Sequence, residues 1–447
     1  MFTPEQIIEL DKYHQQGYQF VVAFSGGVDS TVLLYLVQQY CQALNIPVTA
    51  IYVNHGLSAN ADNWQQHCQQ TAERIGVQFK SVKVNIQQTS RQSIEQLARE
   101  ARYQALIQHS ADKSVIFAGQ HQDDQTETFL LRLKRGSGPN GLACMRPLRN
   151  LTENRLLYRP LLHVSREQIE AFAQTNKLNW IEDESNKNDL FERNFLRNQI
   201  IPQFKQKWPQ FSAMVNRSAE LCNEYQLLAD DLASIDANNC IDADKRLLIE
   251  ACLSLSKHRQ NNLIRYWLQS LHQQLPSAKQ MQQIELAMLA KDDAQPIVQL
   301  SSSQIRRYNK KLYLLTQQDI LWIEQSESDF EIDVDKPLTI YSAKGKLLVI
   351  GQFLHVDRIR LPSLNEKVTI RYNVKSSTKC LPHYRQQSRS VKKILQELLI
   401  EPWFRHKIPY LYYNDTCVAA LGYWIEHNYL LSQSCEDKTF GLMWSES

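Results

Sequence analysis

Residues 19–37 read QFVVAFSGGVDSTVLLYLV: an apolar strand, a turn through two glycines and an apolar helix in immediate succession. A strand that must turn into a helix within so few residues opens a β–α crossover, and such crossovers build parallel sheets covered by helices. The next hundred residues keep that rhythm. The β-rich runs Gln19–Phe24, Val48–Val53, Phe79–Val84 and Val115–Ala118 are followed by helical spacing over Thr31–Gln39, Ala61–Ile75, Ser93–His109 and Asp124–Arg135. The reading is an α/β fold with a twisted parallel sheet and helices on both faces. Ligands of such sheets sit beyond the carboxyl ends of the strands, which singles out the residues around Phe24, Val53 and Ala118–Gly119.

The turn itself is built for an anion. Gly26 and Gly27 admit positive φ and let backbone N–H groups approach a ligand with no Cβ between. The start of the helix adds aligned donors and a partial positive charge. Ser25, Gly26, Gly27, Val28, Asp29 and Ser30 are therefore the expected phosphate cradle. Asp29 sits where it can hold Mg²⁺ on those phosphates. No Lys-Ser/Thr pair follows, so this is not a Walker A loop, and the dinucleotide-binding glycine pattern is missing too.

The loop resembles the signature of the PP-loop ATP pyrophosphatases, which cleave ATP between the α and β phosphates. Further segments resemble, in order, those of the tRNA(Ile)-lysidine synthetase family. They are Tyr52–Leu57 (YVNHGL), Glu95-x-x-Ala98-Arg99-x-x-Arg102-Tyr103, Ala118–Thr128 (AGQHQDDQTET) and Lys134–Gly138 (KRGSG). Arg159–Leu162, Asp183–Asn186 and Arg193-Asn194-x-x-Arg197 follow, and Ser390–Tyr413 resembles that family's carboxyl-terminal domain. The resemblance implies that ATP adenylates O2 of the wobble cytidine of a tRNA(Ile) with a CAU anticodon, releasing pyrophosphate. Free L-lysine then displaces AMP at C2. ATP and Mg²⁺ are the implied cofactors.

On that basis the expected catalytic residues are Asp29, Gln120, His121, Asp124, Glu127 and Arg197. Val53, Gly119, Arg99 and Arg102 join the loop in binding ATP, and Asp29 with Asp124 are the candidate Mg²⁺ ligands. Asp124 and Glu127 lie three apart on one helical face, suited to a metal or to the lysine ammonium. Read without the resemblance, they are equally suited to capping the helix, and Arg99 and Arg102 to ion pairs with Glu95 or Glu100. The family usually carries His-x-x-Asp-Asp here; in this chain Gln120 takes the place of that histidine, and His121 follows one residue later. Asn54 stands where many relatives have Asp.

The net charge of +3 hides two basic stretches. Residues 132–166 hold eight Arg/Lys against Glu153 alone, and 365–410 hold ten against three acids, with Trp403, Phe404 and Tyr410 among them. Cations interleaved with aromatics suit phosphates and unstacked bases. Lys134, Arg135, Lys392, Lys393 and Arg405 are the expected tRNA contacts.

The expected organisation is a catalytic domain over 1–210, a mainly helical domain over 211–318, a connecting segment over 319–360 and a small α+β domain over 361–447. Apolar runs such as Phe20–Phe24 and Val32–Val37 are far shorter than the roughly 20 residues of a membrane helix, so no membrane is expected. No secretory signal precedes the first strand, and nine scattered cysteines with no two spaced three apart suit reduced thiols in the cytoplasm. Self-association as a homodimer is compatible with the sequence. The runner-up activity is a PP-loop tRNA thiotransferase, which needs a reactive Cys pair or a cluster that this chain lacks. An ammonia-using ligase lacks its glutaminase signature, and a non-enzymatic tRNA-binding protein with a vestigial loop is a further alternative.

Overall fold

The computed structural model describes all residues except 1, 57–59, 86–93, 183, 292–293, 334–337, 342–346, 352–357, 432–438 and 446–447. Leu57, Ser93, Asp183, Pro337 and Cys435 therefore lie outside the described residues. The chain divides into two compact units, residues 1–229 and 230–447.

The first unit is the expected α/β layer structure. Its elements are α1 (Pro4–Gln15), β1 (Gln19–Ala23), α2 (Val28–Ala43), β2 (Val48–Asn54), α3 (Ala61–Ile75), β3 (Gln78–Lys83), α4 (Ile94–His109) and β4 (Ser114–Phe117). They continue through α5 (Gln122–Lys134), α6 (Pro139–Leu142), β5 (Leu148–Asn150), β6 (Arg155–Tyr158) and α7 (Arg166–Thr175). The strand order is β3-β2-β1-β4-β6-β5, parallel except for the last pair. Alternation along each strand sorts the two faces. Phe20, Val22, Val115, Phe117 and Tyr158 point into a core shared with α1, α2, α3 and α7. Val21, Ile51, Ile116 and Leu157 point the other way, against Ala105 and Leu106 of α4. The chain then runs through α8 (Glu192–Phe195), a π-helical turn (Leu196–Ile200), α9 (Ile201–Lys207) and α10 (Phe211–Cys240), which crosses from one unit into the other.

In the second unit, helices Lys257–Ser270 and Ala278–Leu289 enclose a core around the buried Trp267, Leu263 and Ile284. Strands Ser303–Tyr308 and Lys311–Thr316 form a hairpin in the stretch that reads as strand-like. Asn309 and Lys310 both take positive φ (46° and 58°), the requirement of a tight primed turn. The next stretch departs from the linker reading. Thr316 caps a helix over Gln317–Glu324 that buries Ile320 and Ile323, and strands Leu338–Tyr341, Leu347–Gly351 and Arg358–Arg360 belong to a four-stranded antiparallel sheet. Its acidic, Pro-containing sequence masked an amphipathic turn of helix. A five-stranded antiparallel sheet carrying Val368–Arg371, Tyr410–Tyr413 and Thr416–Ala420, with helix Val391–Glu397 against it, completes the unit.

Gly26 is the tightest point of the first crossover. Its φ is +83°, and a Cβ there would lie 2.7 Å from both Cys68 Sγ and Ile181 Cδ1. Gly17 has φ +79° in open space. Gly26→Ala should therefore cost about 2–4 kcal/mol of unfolding free energy against about 1 for Gly17→Ala, as read by urea titration; equal losses would show that the clash is relieved.

Candidate active site

The phosphate loop is held by its own serines. Ser30 Oγ lies 3.1 Å from Ser25 Oγ, accepts from the Ser25 N–H (3.2 Å) and donates to the Gly27 carbonyl (3.0 Å). Ile181 N–H donates to the Gly26 carbonyl at 2.8 Å, which pins the turn from outside. Gly27 is the N-cap of α2 and no side chain caps the helix, so its first amides are left to a ligand. Gly119 lets the end of β4 come against this turn: a Cβ would sit 3.1 Å from Asp29 C and 3.2 Å from Ser30 N. Val53 packs on the α4 side of the sheet.

Helix α5 supplies the facing side chains. His121 is its N-cap, 2% exposed, and Nδ1 accepts from the Asp123 N–H at 3.2 Å. That role puts the ring proton on Nε2, which lies 3.5 Å from both Asp29 Oδ1 and Asp124 Oδ2. His121, not Gln120, thus meets the loop. Gln120 instead accepts from Arg159 Nε at 2.9 Å.

Four carboxylates stand here in two different states. Glu127 is fully buried and receives Arg193 Nε and Arg197 Nε at 2.6 Å each. Asp124 Oδ1 accepts from Arg193 Nη2 (2.9 Å) and Arg197 Nη2 (3.3 Å), and its Oδ2 from the His121 N–H (3.0 Å). Burial works to raise the Asp124 carboxyl, but His121, Arg193 and Arg197 outweigh it and hold it below the usual range. Asp123 likewise ends low, because Lys205 (2.5 Å) and the Arg166 N–H (2.9 Å) overcome its burial.

Asp29 differs. Arg166 Nη1 donates to its Oδ2 at 2.7 Å, while Oδ1 is buried and accepts no hydrogen bond. Burial prevails over His121 and Arg166, and its carboxyl is raised.

The two candidate metal ligands are therefore not alike. Asp29 has a bare oxygen beside the loop. Both Asp124 oxygens are engaged: guanidinium groups from later in the chain claim Oδ1, and the His121 N–H claims Oδ2. Among the described residues no three His, Cys, Asp or Glu side chains form a metal cage. Mg²⁺ needs no cage when phosphates and water complete its shell, so Asp29 alone fits it.

Arg99 and Arg102 are exposed on α4, and among the described side chains neither forms an ion pair with Glu100; the Glu95 side chain lies outside the described residues. Arg99 stacks on Tyr103 (5.3 Å), and Arg102 Nε lies 3.4 Å from His55 Nε2. Burial and Arg102 push His55 down to about 4, so it is a neutral acceptor. Asn54, buried, orders the turn after β2 by accepting from the Gly56 N–H at 2.9 Å. Arg166, Arg193, Lys205 and Arg159 were not singled out as site residues from the sequence. Arg193 and Arg159 stood in the quoted motifs, but nothing local to Arg166 or Lys205 pointed to the site.

The basic stretches resolve unevenly. Lys392 and Lys393 are exposed, as are Arg135 and Lys134, the last paired with Glu192. Arg405 is structural: it donates to the Ile400 carbonyl (2.9 Å) and the Tyr308 hydroxyl (3.2 Å). Trp403 and Tyr410 are buried and serve as core, not as stacking platforms for bases.

An uncapped glycine loop at the carboxyl edge of a parallel sheet, faced by a histidine and a half-free carboxylate, defines a PP-loop nucleotide-using domain. The PP-loop domain family matches residues 4–204, the TilS substrate binding domain 247–313 and the TilS substrate C-terminal domain 368–439. Over 428 residues the chain is 40% identical to the tRNA(Ile)-lysidine synthase of Vibrio parahaemolyticus, covering 96% of each. It is 42% identical over 407 residues to that of Proteus mirabilis (90% of each) and 42% over 408 to that of Serratia proteamaculans (91% of each). The chain belongs to the tRNA(Ile)-lysidine synthase family.

The raised Asp29 carboxyl has a consequence for stability. A carboxyl raised in the folded state destabilises the fold once pH exceeds its unfolded value near 4, and more so up through the folded value. Asp29→Asn should raise the thermal midpoint at pH 7 by a few degrees, with the gain vanishing below about pH 4. A lower midpoint at neutral pH would mean that the Arg166 contact outweighs burial.

Proposed function

We infer that the chain is an ATP-dependent carbon–nitrogen ligase that converts the wobble cytidine of tRNA(Ile) with a CAU anticodon to lysidine, giving AMP and pyrophosphate. The observation that carries this is the SGGVDS turn with its bare Asp29 oxygen, in a chain related end to end to tRNA(Ile)-lysidine synthases. Among the described residues no helix is long and apolar enough to cross a membrane.

The loop amides of Gly26–Ser30 take the phosphates, and charge on the departing pyrophosphate meets donors already in place. Asp29 Oδ1 would hold Mg²⁺, which neutralises that charge when bound. His121 Nε2–H sits between Asp29 and Asp124 and steers both carboxylates. Glu127 and Asp124 hold Arg193 and Arg197 as a rigid pair of forks, and we assign that pair to the carboxylate of free L-lysine. Since both acids are already matched by guanidinium groups, they act on lysine through these arginines. Residues 247–313 and 368–439 hold the body of the tRNA, with Lys392 and Lys393 on its backbone.

Labelled lysine, ATP, Mg²⁺ and a tRNA(Ile) transcript should give acid-precipitable label that disappears when the wobble cytidine is replaced. Pyrophosphate release without label would overturn the assignment of lysine. Asp29→Ala should abolish pyrophosphate release by about 10³-fold or more while tRNA affinity stays within a factor of two or so. Replacing Lys392 and Lys393 with Gln should weaken tRNA binding about tenfold in moderate salt, and less as salt rises. Binding that ignores both changes would mark them as mere surface.

A further inference from the structure

Arg159 follows β6 at the carboxyl edge of the sheet and is 3% exposed. Its Nε donates to Gln120 Oε1 (2.9 Å), its Nη1 to the Arg146 carbonyl (2.8 Å), and the Tyr103 hydroxyl is a third partner. All three are neutral. Among the described residues no carboxylate pairs with this guanidinium, in contrast to Arg193 and Arg197 on the same edge. Three acceptors for five N–H groups leave donors to spare. A buried cation without a counter-charge is costly, and a fold retains one where an anion completes it.

The surroundings carry the same sign. Burial bears most heavily on Arg159, Tyr103 offsets part of that, and Arg99 and Arg149 add repulsion. Arg102, on the same helix as Arg99, lies against a neutral His55. The amino-terminal end of α4 lies at this edge because β3 runs up to it. Helix α4 covers the sheet face opposite α2, whose loop is already matched to the phosphates of ATP. The other anion that this reaction brings to the edge is the RNA backbone flanking the cytidine drawn out of the anticodon loop.

We propose that Arg159, oriented by Gln120 and reinforced by Arg149, seats a backbone phosphate of the anticodon loop beside the target cytidine. Gln120 thereby has a role that needs no proton. Its amide oxygen fixes Nε–H without neutralising the guanidinium, whereas a protonated histidine there would repel it. The proposal rests on the tRNA substrate inferred above.

The test uses the full-length protein and a fluorescent tRNA(Ile) anticodon stem-loop, titrated over a salt series, with the KM for ATP measured in parallel by pyrophosphate release. Arg159→Gln should weaken RNA binding about tenfold and lower the slope of log Kd against log salt by about 1, leaving the KM for ATP unchanged. Arg159→Lys should recover part of the affinity, because it keeps the charge and loses only the fork. Arg149→Gln, at an exposed position, should shift the slope in the same direction and keeps the test decisive if Arg159→Gln folds poorly. Unchanged slopes in every folded variant would make Arg159 structural and overturn the proposal. A raised KM for ATP with intact RNA affinity would also overturn it, by assigning the site to ATP. Lack of lysine incorporation by the wild type, with the slopes shifted as expected, would instead count against the ligase reading alone.

Discussion

The first turns of α5 carry three buried or half-buried carboxylates, and each is matched by a cation from a different part of the chain. Asp123 takes Lys205 of α9 and the first amide of α7; Asp124 and Glu127 take Arg193 and Arg197. Breaking a buried pair of this kind leaves an uncompensated charge at a cost of about 3–5 kcal/mol, far more than an exposed bridge is worth. The position of everything from α7 to α9 against the sheet is thereby tied to one helix start. That same helix start carries His121 into the crevice. The π-helical turn at Leu196–Ile200 lies within and beyond the Arg193–Arg197 segment, a local widening of the kind that often accompanies a functional constraint.

Against that saturated background, the unsatisfied groups stand out. Asp29 keeps one bare oxygen, α2 keeps uncapped amides, and Arg159 keeps a buried charge with only neutral partners. One is short of a cation and two are short of anions. They lie along the carboxyl edge of a single sheet, as nucleotide chemistry on an RNA substrate requires. The groups that hold the crevice in shape and the groups that await ligands are thus largely separate sets, linked through His121 and Arg166.

Much of this was legible in the residues. The order of strands and helices from β1 to α5 followed from alternation and periodicity, and boundaries there moved by only a few residues, as at α2, which begins at Val28 and not at Thr31; α1, β5, β6 and α7 emerged only in the fold. The phosphate loop was legible because two glycines and a short polar run between apolar segments admit few conformations. The partners of Asp124 were not. Its fitness to bind Mg²⁺ depended on whether its oxygens were free: the His121 N–H that takes Oδ2 is local, but the cations that engage Oδ1 come some 70 residues later in the chain. The aromatics of the carboxyl-terminal basic stretch misled for a similar reason: Trp403 and Tyr410 are as apolar in a core as on a binding face, and only burial tells the two apart.

The sequence by itself determined the parallel sheet, the anion-binding turn and the kind of chemistry that turn serves, because these depend on local sterics and on alternation within a few residues. Tertiary structure decided which charges are matched and which are left open. It brought His121 rather than Gln120 to the crevice, left an oxygen of Asp29 rather than of Asp124 without a hydrogen bond, and set Gln120 on Arg159. The reason is physical: whether a charged side chain is a strut or a reactive group depends on its desolvation and its neighbours, and both are properties of the assembled fold.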